Sequence, residues 1–510
     1  MYKTLLLILL VAVLVAFCLI IYSYIRKLGY KNRCYGDLQR GQELANYYQY
    51  LLDHPIPFVE YERAILSYLR NHSLKGLTPQ QALCVSNLAG PQSAYGFALV
   101  EPGSFSFPQD HGPHWDIATS WYFFVAHLWP EGSSHDDKPI SVVYVIKRNS
   151  PTPPMMWGDD IPLNHQIIQI YASVTFPDQG IREGTIRVVG GNTGRVKLQA
   201  SPFLWKVDED GLEGLGDSIM PLRVYYNDAA TNVKIDLTLT ASKPFFLEGD
   251  KGCDPCVYGL GYRYYSFSLL QATGSVVAGD RKANVTGIGW MDHQYGSGME
   301  PLGYFHGNDC IQALANVEKQ FQPPGFLPMW NWYCIQLNNK VEITVAIGPA
   351  PNPLSGTAKL GPYSLTMATL IDVDATYRNV TGTATYIGWI KNSNGNWYPS
   401  GTNFSFDDEK IELELTPTTM DQFGFDGKGL EYFEGGCLVT GTYKGNPIKG
   451  VGFLEMVGYQ SVDTSIGILL NNAAISVTDP MVLSIFTPKP PSQDLVNESL
   501  IKLSQPECKK

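Results

Sequence analysis

Short runs in which hydrophobic and polar residues alternate indicate half-buried β-strands through most of the chain. Residues 233–240, 341–345 and 410–415 each place Val, Ile or Leu at every second position, with charged residues or Thr between them. From about residue 90 onward, Gly, Pro, Asn and Asp separate such runs. Antiparallel sheets with one buried and one wet face have this pattern, so we expect a mainly β body.

A weak internal repeat divides this body into two halves. The segment 287–292 (GIGWMD) resembles 450–455 (GVGFLE), and 235–240 (IDLTLT) resembles 411–416 (IELELT). A Thr-Gly pair precedes each glycine-rich segment, at 273–274 and at 440–441. Such a repeat indicates two β-rich halves of one kind. Closed antiparallel barrels hide their strand edges and leave an interior for an apolar ligand, so two barrels in tandem are predicted.

An apolar run at the N-terminus predicts a membrane anchor. The run is unbroken from Leu5 to Ile21 and extends to Ile25. A helix over these residues is about 31 Å long at about 1.5 Å per residue, enough to cross a hydrocarbon core. A cleaved signal peptide is the alternative, although its apolar region is usually only about 7–15 residues long.

Charges and glycosylation sequons favour different sides of that membrane. Lys3 precedes the run, whereas Arg26, Lys27, Lys31 and Arg33 follow it, which favours a cytoplasmic body. Sequons that allow a glycosylated lumenal or extracellular body occur at Asn71, Asn284, Asn379, Asn403 and Asn497. We predict a single-pass protein of the endoplasmic reticulum or another endomembrane, with the lipid bilayer as a partner.

Changes in residue pattern along the chain predict the domain boundaries. Residues 35–90 carry leucines and aromatic residues at helix-like spacing, interrupted by Pro55 and Pro57. Prolines also mark the segment after residue 486 as a loose extension. The predicted units are a membrane anchor with its basic flank (1–34), a helical collar (35–90), a first barrel (91–300), a second barrel (301–486) and a flexible tail (487–510).

Composition excludes several classes of function. The net charge is −11 and no basic stripe is present, which excludes a nucleic-acid partner. No P-loop, dinucleotide fingerprint, HExxH or G-x-S-x-G motif occurs, so no cofactor and no metal are predicted. The nine cysteines do not require an oxidising compartment, and for Cys253-x-x-Cys256 we expect a loop disulfide or free thiols.

The densest polar cluster runs from Asp110 to Asp116 (DHGPHWD), just before the aromatic run that begins at Trp121. Three interpretations are open. His111, His114 and Asp116 could ligate a metal, but their spacing fits no recognised motif and Gly-Pro breaks any helix here. They could form an acid/base group at a barrel mouth, or a hydrogen-bonded turn that starts a strand.

A second cluster runs from Trp290 to Gly296 (WMDHQYG). In a strand, Trp290, Asp292 and Gln294 share one face, while His293 lies on the other. An Asp beside Trp in an apolar cavity has a raised pKa, and as a neutral acid it can protonate an alkene, an epoxide or a leaving group. The alternative is an Asp paired with an Arg or a backbone N–H at the end of a strand.

These motifs, taken in order, resemble the AttH/carotenoid hydratase-like superfamily. The similarity covers about residues 90–460. It is carried by Phe107-Pro108-x-Asp110-His111-x-x-His114-x-Asp116 with Trp121, Leu237-Thr238-Leu239 with Lys243-Pro244, Gly249-Asp250, Tyr264-Tyr265-Ser266, Gly287-x-x-Trp290-x-Asp292-His293, Trp330-x-Trp332 with Gln336-Leu337, Glu434-Gly435 and Gly452-Phe453-x-Glu455-x-x-Gly458-Tyr459.

The resemblance implies two lipocalin-like barrels and cofactor-free chemistry on apolar substrates, as in hydratases and in cyclases of the Diels–Alder type. In hydratases of this superfamily, an Asp with neighbouring His, Trp and Tyr protonates a double bond before water adds. The position that matches is Asp292, with His293. Three positions depart from the family pattern: Ser120 and Gln294 each stand where the family has Glu, and Leu269 or Leu270 stands where an Arg often follows.

We therefore predict a membrane-anchored, cofactor-free hydratase (hydro-lyase) or cyclase/isomerase that uses acid catalysis in a barrel pocket. Its substrate is expected to be a lipophilic isoprenoid, carotenoid-like or polyketide molecule. The predicted catalytic residues are Asp292 as proton donor, His293 as its partner, and Tyr265, His111 and His114, which position water or substrate. The predicted substrate-binding residues are Trp121, Trp290, Tyr264, Tyr295, Trp332 and Asp116. The alternatives are a non-catalytic lipid-binding protein of the same fold and a membrane-tethered structural protein.

Overall fold

The structure is a computed structural model that describes residues 98–459, except 99, 118, 151–153, 155–158, 258–259, 297–329, 348–358, 426–430 and 458. The described residues are mainly β and contain no α-helix; their only helical turns are four short 3₁₀ segments at Gln109–His111, Pro162–His165, Gly191–Thr193 and Asp407–Glu409. None of their helices is long and apolar enough to span a bilayer. The predicted anchor, helical collar and C-terminal tail lie outside the described residues.

The strands form two curled antiparallel sheets, which we call the first and second half-barrels. The first has 14 strands. Its strands are β1 (Thr119–Pro130), β2 (Ile140–Asn149), β3 (Ile167–Phe176), β4 (Gly180–Glu183), β5 (Arg187–Gly190), β6 (Val196–Gln199), β7 (Leu204–Val207), β8 (Asp210–Gly214), β9 (Leu222–Asp228), β10 (Val233–Ala241), β11 (Phe246–Leu247), β12 (Cys253–Val257), β13 (Leu260–Ala278) and β14 (Arg281–Gly296).

The second half-barrel has 11 strands, and a two-stranded hairpin accompanies it. Its strands are β15 (Asn331–Leu337), β16 (Glu342–Ile347), β17 (Tyr363–Ser364), β18 (Met367–Ile371), β19 (Tyr377–Asn379), β20 (Thr383–Tyr386), β23 (Thr402–Phe406), β24 (Ile411–Pro417), β25 (Phe423–Phe425), β26 (Glu431–Tyr443) and β27 (Asn446–Val457). The hairpin consists of β21 (Trp389–Lys391) and β22 (Trp397–Pro399).

Within the part of the chain that the structure describes, the sheets are curled half-barrels rather than closed barrels, which corrects the expectation of closed barrels. The first runs in the order β4-β3-β2-β1-β14-β13-β10-β9-β8-β7-β6, and its two end strands do not pair with each other. The second runs in the order β17-β20-β23-β24-β26-β27-β15-β16-β18-β19. Each sheet curls around its own apolar core, which contains Leu237 and Met291 in the first half-barrel and Leu413 and Leu454 in the second.

The internal repeat corresponds to equivalent strands in the two sheets. The neighbours β10-β13-β14 in the first half-barrel match β24-β26-β27 in the second. The repeated Thr-Gly pairs lie in the middle strand of each trio. Gly274 and Gly441 have φ values of +151° and +158°, and a Cβ added to either would lie 2.0 Å from the carbonyl oxygen of Asp236 or Glu412, respectively. Only glycine fits so close an approach of two strands.

The two half-barrels pack against each other through their outer faces. We call the region between them the inter-barrel layer. Its apolar core joins residues of both sheets, namely Phe123, Val125, Val143, Tyr171, Phe246, Trp290, Trp332, Cys334, Ile371 and Phe453. Polar contacts cross it as well: Gln336 donates from Nε2 to the carbonyl oxygens of Ser268 at 2.7 Å and Gly289 at 3.0 Å.

A buried ion pair also joins the half-barrels. The Nζ atom of Lys243 lies 2.7 Å from Oε2 of Glu342, and both side chains are buried. The same ammonium donates to the carbonyl oxygens of Lys340 and Asp372, each at 2.7 Å. Because a single lysine connects the end of β10 to two loops and one strand of the second half-barrel, it fixes how the two sheets meet.

Candidate active site

Strand β14 places its polar residues on two opposite faces. Met291 belongs to the interior core of the first half-barrel, whereas Trp290 belongs to the inter-barrel layer. Because side chains alternate along a strand, Asp292 faces the inter-barrel layer and His293 faces the interior. The neighbouring strand β13 follows the same rule, since Ser266 is the register partner of Asp292 and Tyr265 is that of His293.

Three donors hold the carboxyl group of Asp292. Ser266 Oγ donates to Oδ1 at 2.5 Å, Trp290 Nε1 donates to the same oxygen at 2.7 Å, and Tyr264 Oη donates to Oδ2 at 2.8 Å. Asp292 is 2% exposed. Burial raises its pKa to about 6, although the three hydrogen bonds act in the opposite direction. A carboxyl group with this pKa gives up and regains a proton near neutrality.

A second buried carboxyl lies behind the first. Glu248 is fully buried, and its oxygens accept from Ser266 Oγ at 3.4 Å and from Thr369 Oγ1 at 3.2 Å. The single hydroxyl proton of Ser266 can serve only one acceptor, and the contact to Asp292 is shorter. Burial and the nearby charge of Asp292 raise the pKa of Glu248 well above its usual value, which favours its neutral form.

Aromatic rings form the walls around Asp292. Trp290 and Trp332 meet edge to face with ring centroids 6.2 Å apart, and Phe246 and Phe123 extend this wall on the side of the first half-barrel. Trp332 is 7% exposed and its indole N–H has no hydrogen-bond partner. Trp121 is less buried and lies at the rim, where its ring contacts Tyr262.

The predicted residues on the other face of the sheet form a separate cluster inside the first half-barrel. His111 Nδ1 lies 2.5 Å from Tyr265 Oη, and Tyr122 Oη donates to the carbonyl oxygen of His111 at 3.0 Å. The ring of His293 stacks on Tyr122, and its Nδ1 lies 2.9 Å from the carbonyl oxygen of Trp121. Burial lowers the pKa of His111 to about 4 and that of His293 well below its usual value.

The segment from Asp110 to Asp116 closes one end of this interior cluster. His114 stacks on Tyr295 with ring centroids 3.5 Å apart, and Tyr295 Oη donates to Asp110 at 2.7 Å. The buried guanidinium of Arg148 donates to the carbonyl oxygen of His114 at 3.1 Å. Asp116 is exposed, and its charge acts on His114 and Arg148 at the edge of this cluster. The segment is therefore a hydrogen-bonded turn, and the described residues contain no group of side chains suited to a metal ion.

The predicted site residues thus divide into two sets. The structure brings together Asp292, Tyr264, Trp290, Trp332 and, at the rim, Trp121. It does not bring His293, Tyr265, His111, His114 or Tyr295 to Asp292, because they lie on the other side of the same sheet. The predicted partnership of Asp292 with His293 is corrected accordingly: the partners of Asp292 are Ser266, Trp290 and Tyr264.

Sequence reasoning missed Ser266 and Glu248 as neighbours of Asp292. Ser266 was within the Tyr-Tyr-Ser motif, and its position two residues after Tyr264 was the signal that both share one face. Glu248 had no such signal, because it reaches the site through the pairing of β11 with β13.

The cysteines differ in their redox state. Cys253 is disulfide-bonded, whereas Cys334 and Cys437 are free and buried.

Comparisons with known proteins agree with this architecture. Residues 98–306 match the model of the AttH-like family. A crystal structure of an AttH protein from Nitrosomonas europaea superposes with a TM-score of 0.53 at 19% identity, over 71% of this chain and 99% of that chain. The resemblance drawn from the motifs is confirmed for residues 98–306, which match the AttH-like family model.

Two enzymes of known structure are more distantly similar. Kievitone hydratase from Nectria haematococca has a TM-score of 0.46 at 13% identity, over 71% of this chain and 98% of that chain. CghA, solved with Sch210972, has a TM-score of 0.41 at 12% identity, over 72% of this chain and 98% of that chain. No curated protein sequence matches the chain.

Proposed function

We propose that the protein is a membrane-anchored, cofactor-free enzyme of the hydratase/cyclase type that acts on a lipophilic substrate between its two half-barrels. The observation that carries this proposal is the carboxyl group of Asp292. It is buried in an aromatic layer, its pKa is raised to about 6, and three donors surround it. Groups tuned in this way cluster at catalytic sites.

Asp292 in its neutral form would donate its proton to a carbon–carbon double bond. The donors on Tyr264, Ser266 and Trp290 would stabilise the carboxylate that remains, because hydrogen bonds to the charged form favour it. The faces of Trp290 and Trp332 would stabilise the carbocation formed on the substrate. Water would then add in a hydratase, whereas an internal bond would form in a cyclase.

The chemistry of the walls indicates a lipophilic substrate such as an isoprenoid, a carotenoid-like molecule or a polyketide. Phe123, Phe246, Trp290, Trp332 and Phe453 supply the apolar surface. An anchor at residues 5–25 would place such a site beside the bilayer in which these molecules dissolve. The body is proposed to lie on the cytoplasmic face, from the basic residues that follow the apolar run.

The interior cluster would support catalysis without touching the substrate. Tyr265 and His293 lie behind Ser266 and Asp292 on strands β13 and β14. His111, in the 3₁₀ turn before β1, contacts Tyr265, and His293 contacts the backbone of Trp121, so these contacts would hold β13 and β14 in place from inside the half-barrel. His114 and Tyr295 would close the end of that interior. We assign positioning roles to these five residues, and none to the exposed Asp116.

A second candidate function is lipid binding without turnover. It is favoured by Gln294, which shares the outer face of β14 with Asp292 and stands where relatives carry a Glu, and by Ser120, another position that lacks its expected carboxylate. The aromatic layer would hold a lipid equally well in a carrier.

The test uses the full-length protein in detergent with lycopene, an acyclic isoprenoid polyene, and follows products by mass spectrometry. Wild type and the surface control Asp236→Asn are expected to hydrate or cyclise the probe, and Asp292→Asn to do so about 100-fold more slowly or worse. Turnover by Asp292→Asn at the wild-type rate would contradict the proton-donor role. Retention of an extractable lipid by all three proteins without any turnover would favour the carrier.

A further inference from the structure

Two more carboxyl groups face the inter-barrel layer from the second half-barrel. Glu434 in β26 and Glu455 in β27 are direct register partners. Their chain neighbours Phe433 and Leu454 belong to the interior core of the second half-barrel, so both glutamates point to its outer face. The Cβ atoms of directly opposed residues are about 4.5–5.5 Å apart, which brings the two carboxyl groups within reach of each other.

No cation neutralises this pair among the described residues. Glu455 accepts a hydrogen bond from Trp330 Nε1 at 2.6 Å, whereas Oε2 of the buried Glu434 has no partner. The charged groups that act on Glu434 are Glu455 and Glu183, both carboxyl groups. Two carboxyl groups in such a place do not both ionise, and they hold one proton between them. In agreement, burial raises the pKa of Glu455 to about 7 and that of Glu434 well above its usual value.

Trp332 connects this pair to Asp292. It is the register partner of Glu455 in the β15–β27 ladder, and its ring meets Trp290, which donates to Asp292. The charge of Asp292 reaches Glu455 and raises its pKa further. The buried indole N–H of Trp332, which has no partner, is an independent sign that this space takes a molecule with an oxygen acceptor.

We infer that Glu434 and Glu455 form the base of the reaction that Asp292 begins, on the opposite wall of the same site. This inference rests on the proposed function. The O–H bond of Asp292 breaks and a C–H bond forms on the alkene, which leaves a carbocation and a carboxylate. The oxygen of a water molecule bonds to the cation while one of its O–H bonds breaks, and that proton passes to the ionised member of the pair.

Together, these two reaction steps add one water molecule across one double bond, with no change in redox state. At their end Asp292 is ionised and the glutamate pair carries two protons. Exchange with solvent removes one proton from the pair and returns one to Asp292, which restores the starting state. The new negative charge on Asp292 favours proton uptake by Glu455, so the first step prepares the second. In a cyclisation, the pair would take a proton from the substrate cation instead of from water.

The kinetic test uses the full-length protein with lycopene in D₂O. Reversible protonation by Asp292 would place deuterium in recovered lycopene, whereas the hydrated product also requires the base. We expect the double variant Glu434→Gln/Glu455→Gln, which has no carboxylate left in the pair, to keep deuterium incorporation within about 3-fold of wild type and to lose about 100-fold in hydrated product. Glu414→Gln, on the exposed face of β24, is the matched control and should behave as wild type.

Two outcomes are distinguishable in that experiment. Hydration by the double variant at the wild-type rate would overturn the role of the pair while leaving Asp292 as the donor. Deuterium incorporation by Asp292→Asn at the wild-type rate would overturn the proposed function itself.

The proton shared by Glu434 and Glu455 can be tested without substrate, independently of turnover. The infrared spectrum of the protein at pH 7 is expected to show protonated carboxyl intensity from the pair in addition to that of Glu248, whose pKa is also raised. This intensity should fall by one carboxyl group when either glutamate of the pair becomes Gln, whereas Asp292→Asn and Glu414→Gln should retain the contribution of the pair. Unchanged intensity in both pair variants would contradict the shared proton. Circular dichroism identifies a variant that has not folded. In that case, the variant of the other glutamate provides the test.

Discussion

The carboxyl group of Asp292 receives a 2.5 Å hydrogen bond from the hydroxyl group of Ser266, its register partner on the neighbouring strand. This contact fixes Asp292 on the outer face of the first half-barrel, among the aromatic rings of the inter-barrel layer. His293, the next residue in the chain, contacts Tyr122 inside the half-barrel instead. The site that we propose around Asp292 therefore lies between the two sheets and not inside the first half-barrel.

The buried carboxyl of Asp292 should make stability depend on pH. Its pKa is raised from 3.8 to about 6, so its contribution is fully present below pH 3.8 and is lost as the pH rises through about 6. A shift of this size corresponds to about 3 kcal/mol. Melting curves from pH 4 to pH 8 should show Asp292→Asn gaining stability relative to wild type as the pH rises. Parallel curves for the two proteins would refute the shift, and Asp236→Asn serves as the exposed control.

The Lys243–Glu342 pair should contribute strongly to the docking of the half-barrels. Replacing Lys243 by Met leaves the buried carboxyl of Glu342 without its cation, with only the hydroxyl of Ser268 as donor, and removes the donor of two carbonyl groups. This change is expected to cost about 3–5 kcal/mol. Lys243→Met combined with Glu342→Gln should recover part of this loss. Urea unfolding of the full chain measures both. Arg281→Ala, which removes an exposed ion pair with Asp178, should cost less than about 1 kcal/mol. Equal losses for the buried and exposed pairs would contradict the assignment.

Substitution of either repeated glycine should destabilise the protein to a similar extent. Gly274→Ala and Gly441→Ala each place a methyl group 2.0 Å from a carbonyl oxygen of the neighbouring strand, which forces the strands apart. We expect each change to cost more than about 2 kcal/mol by urea unfolding. Gly132→Ala is the control, since it has φ of +84° with nothing within 4 Å and tests the backbone cost alone. The interpretation fails if the control is destabilised as much as the other two.

The interior cluster should affect folding more than chemistry. Tyr265→Phe removes the hydroxyl group that lies 2.5 Å from His111 and 3.2 Å from Tyr122 Oη. A loss of about 1–2 kcal/mol in stability is expected, because buried polar partners are left unpaired. The pH profile of lycopene turnover should keep its shape, since Asp292 is untouched. A displaced profile would instead indicate that Tyr265 or His111 exchanges a proton with the substrate.

Much of the fold was predictable from local pattern. Alternation at 233–240 and 410–415 gave β10 and β24, and the Thr-Gly repeat anticipated two sheets with equivalent strand trios. Closure was not predictable, because alternation specifies the faces of a strand and not whether the two ends of a sheet meet. The open edges at β4 and β6 depend on long-range pairing that no local pattern encodes.

The site was predictable only in part, for a related reason. The period of two already separated Asp292 from His293, but it could not show which face holds the site. Strand β1 is buried on both faces, so hydrophobicity alone did not distinguish the interior from the inter-barrel layer. Trp332 and Glu455 come from the second half-barrel, and only the packing of the two sheets brings them towards Asp292.

The central claim is that the substrate site lies between the half-barrels and includes Asp292. The most direct measurement is a crystal structure of the full-length protein with squalane, a saturated isoprenoid that cannot react. The account predicts squalane between Trp290 and Trp332, in van der Waals contact with the carboxyl group of Asp292. Squalane inside the first half-barrel, beside Tyr265 and His293, would contradict it.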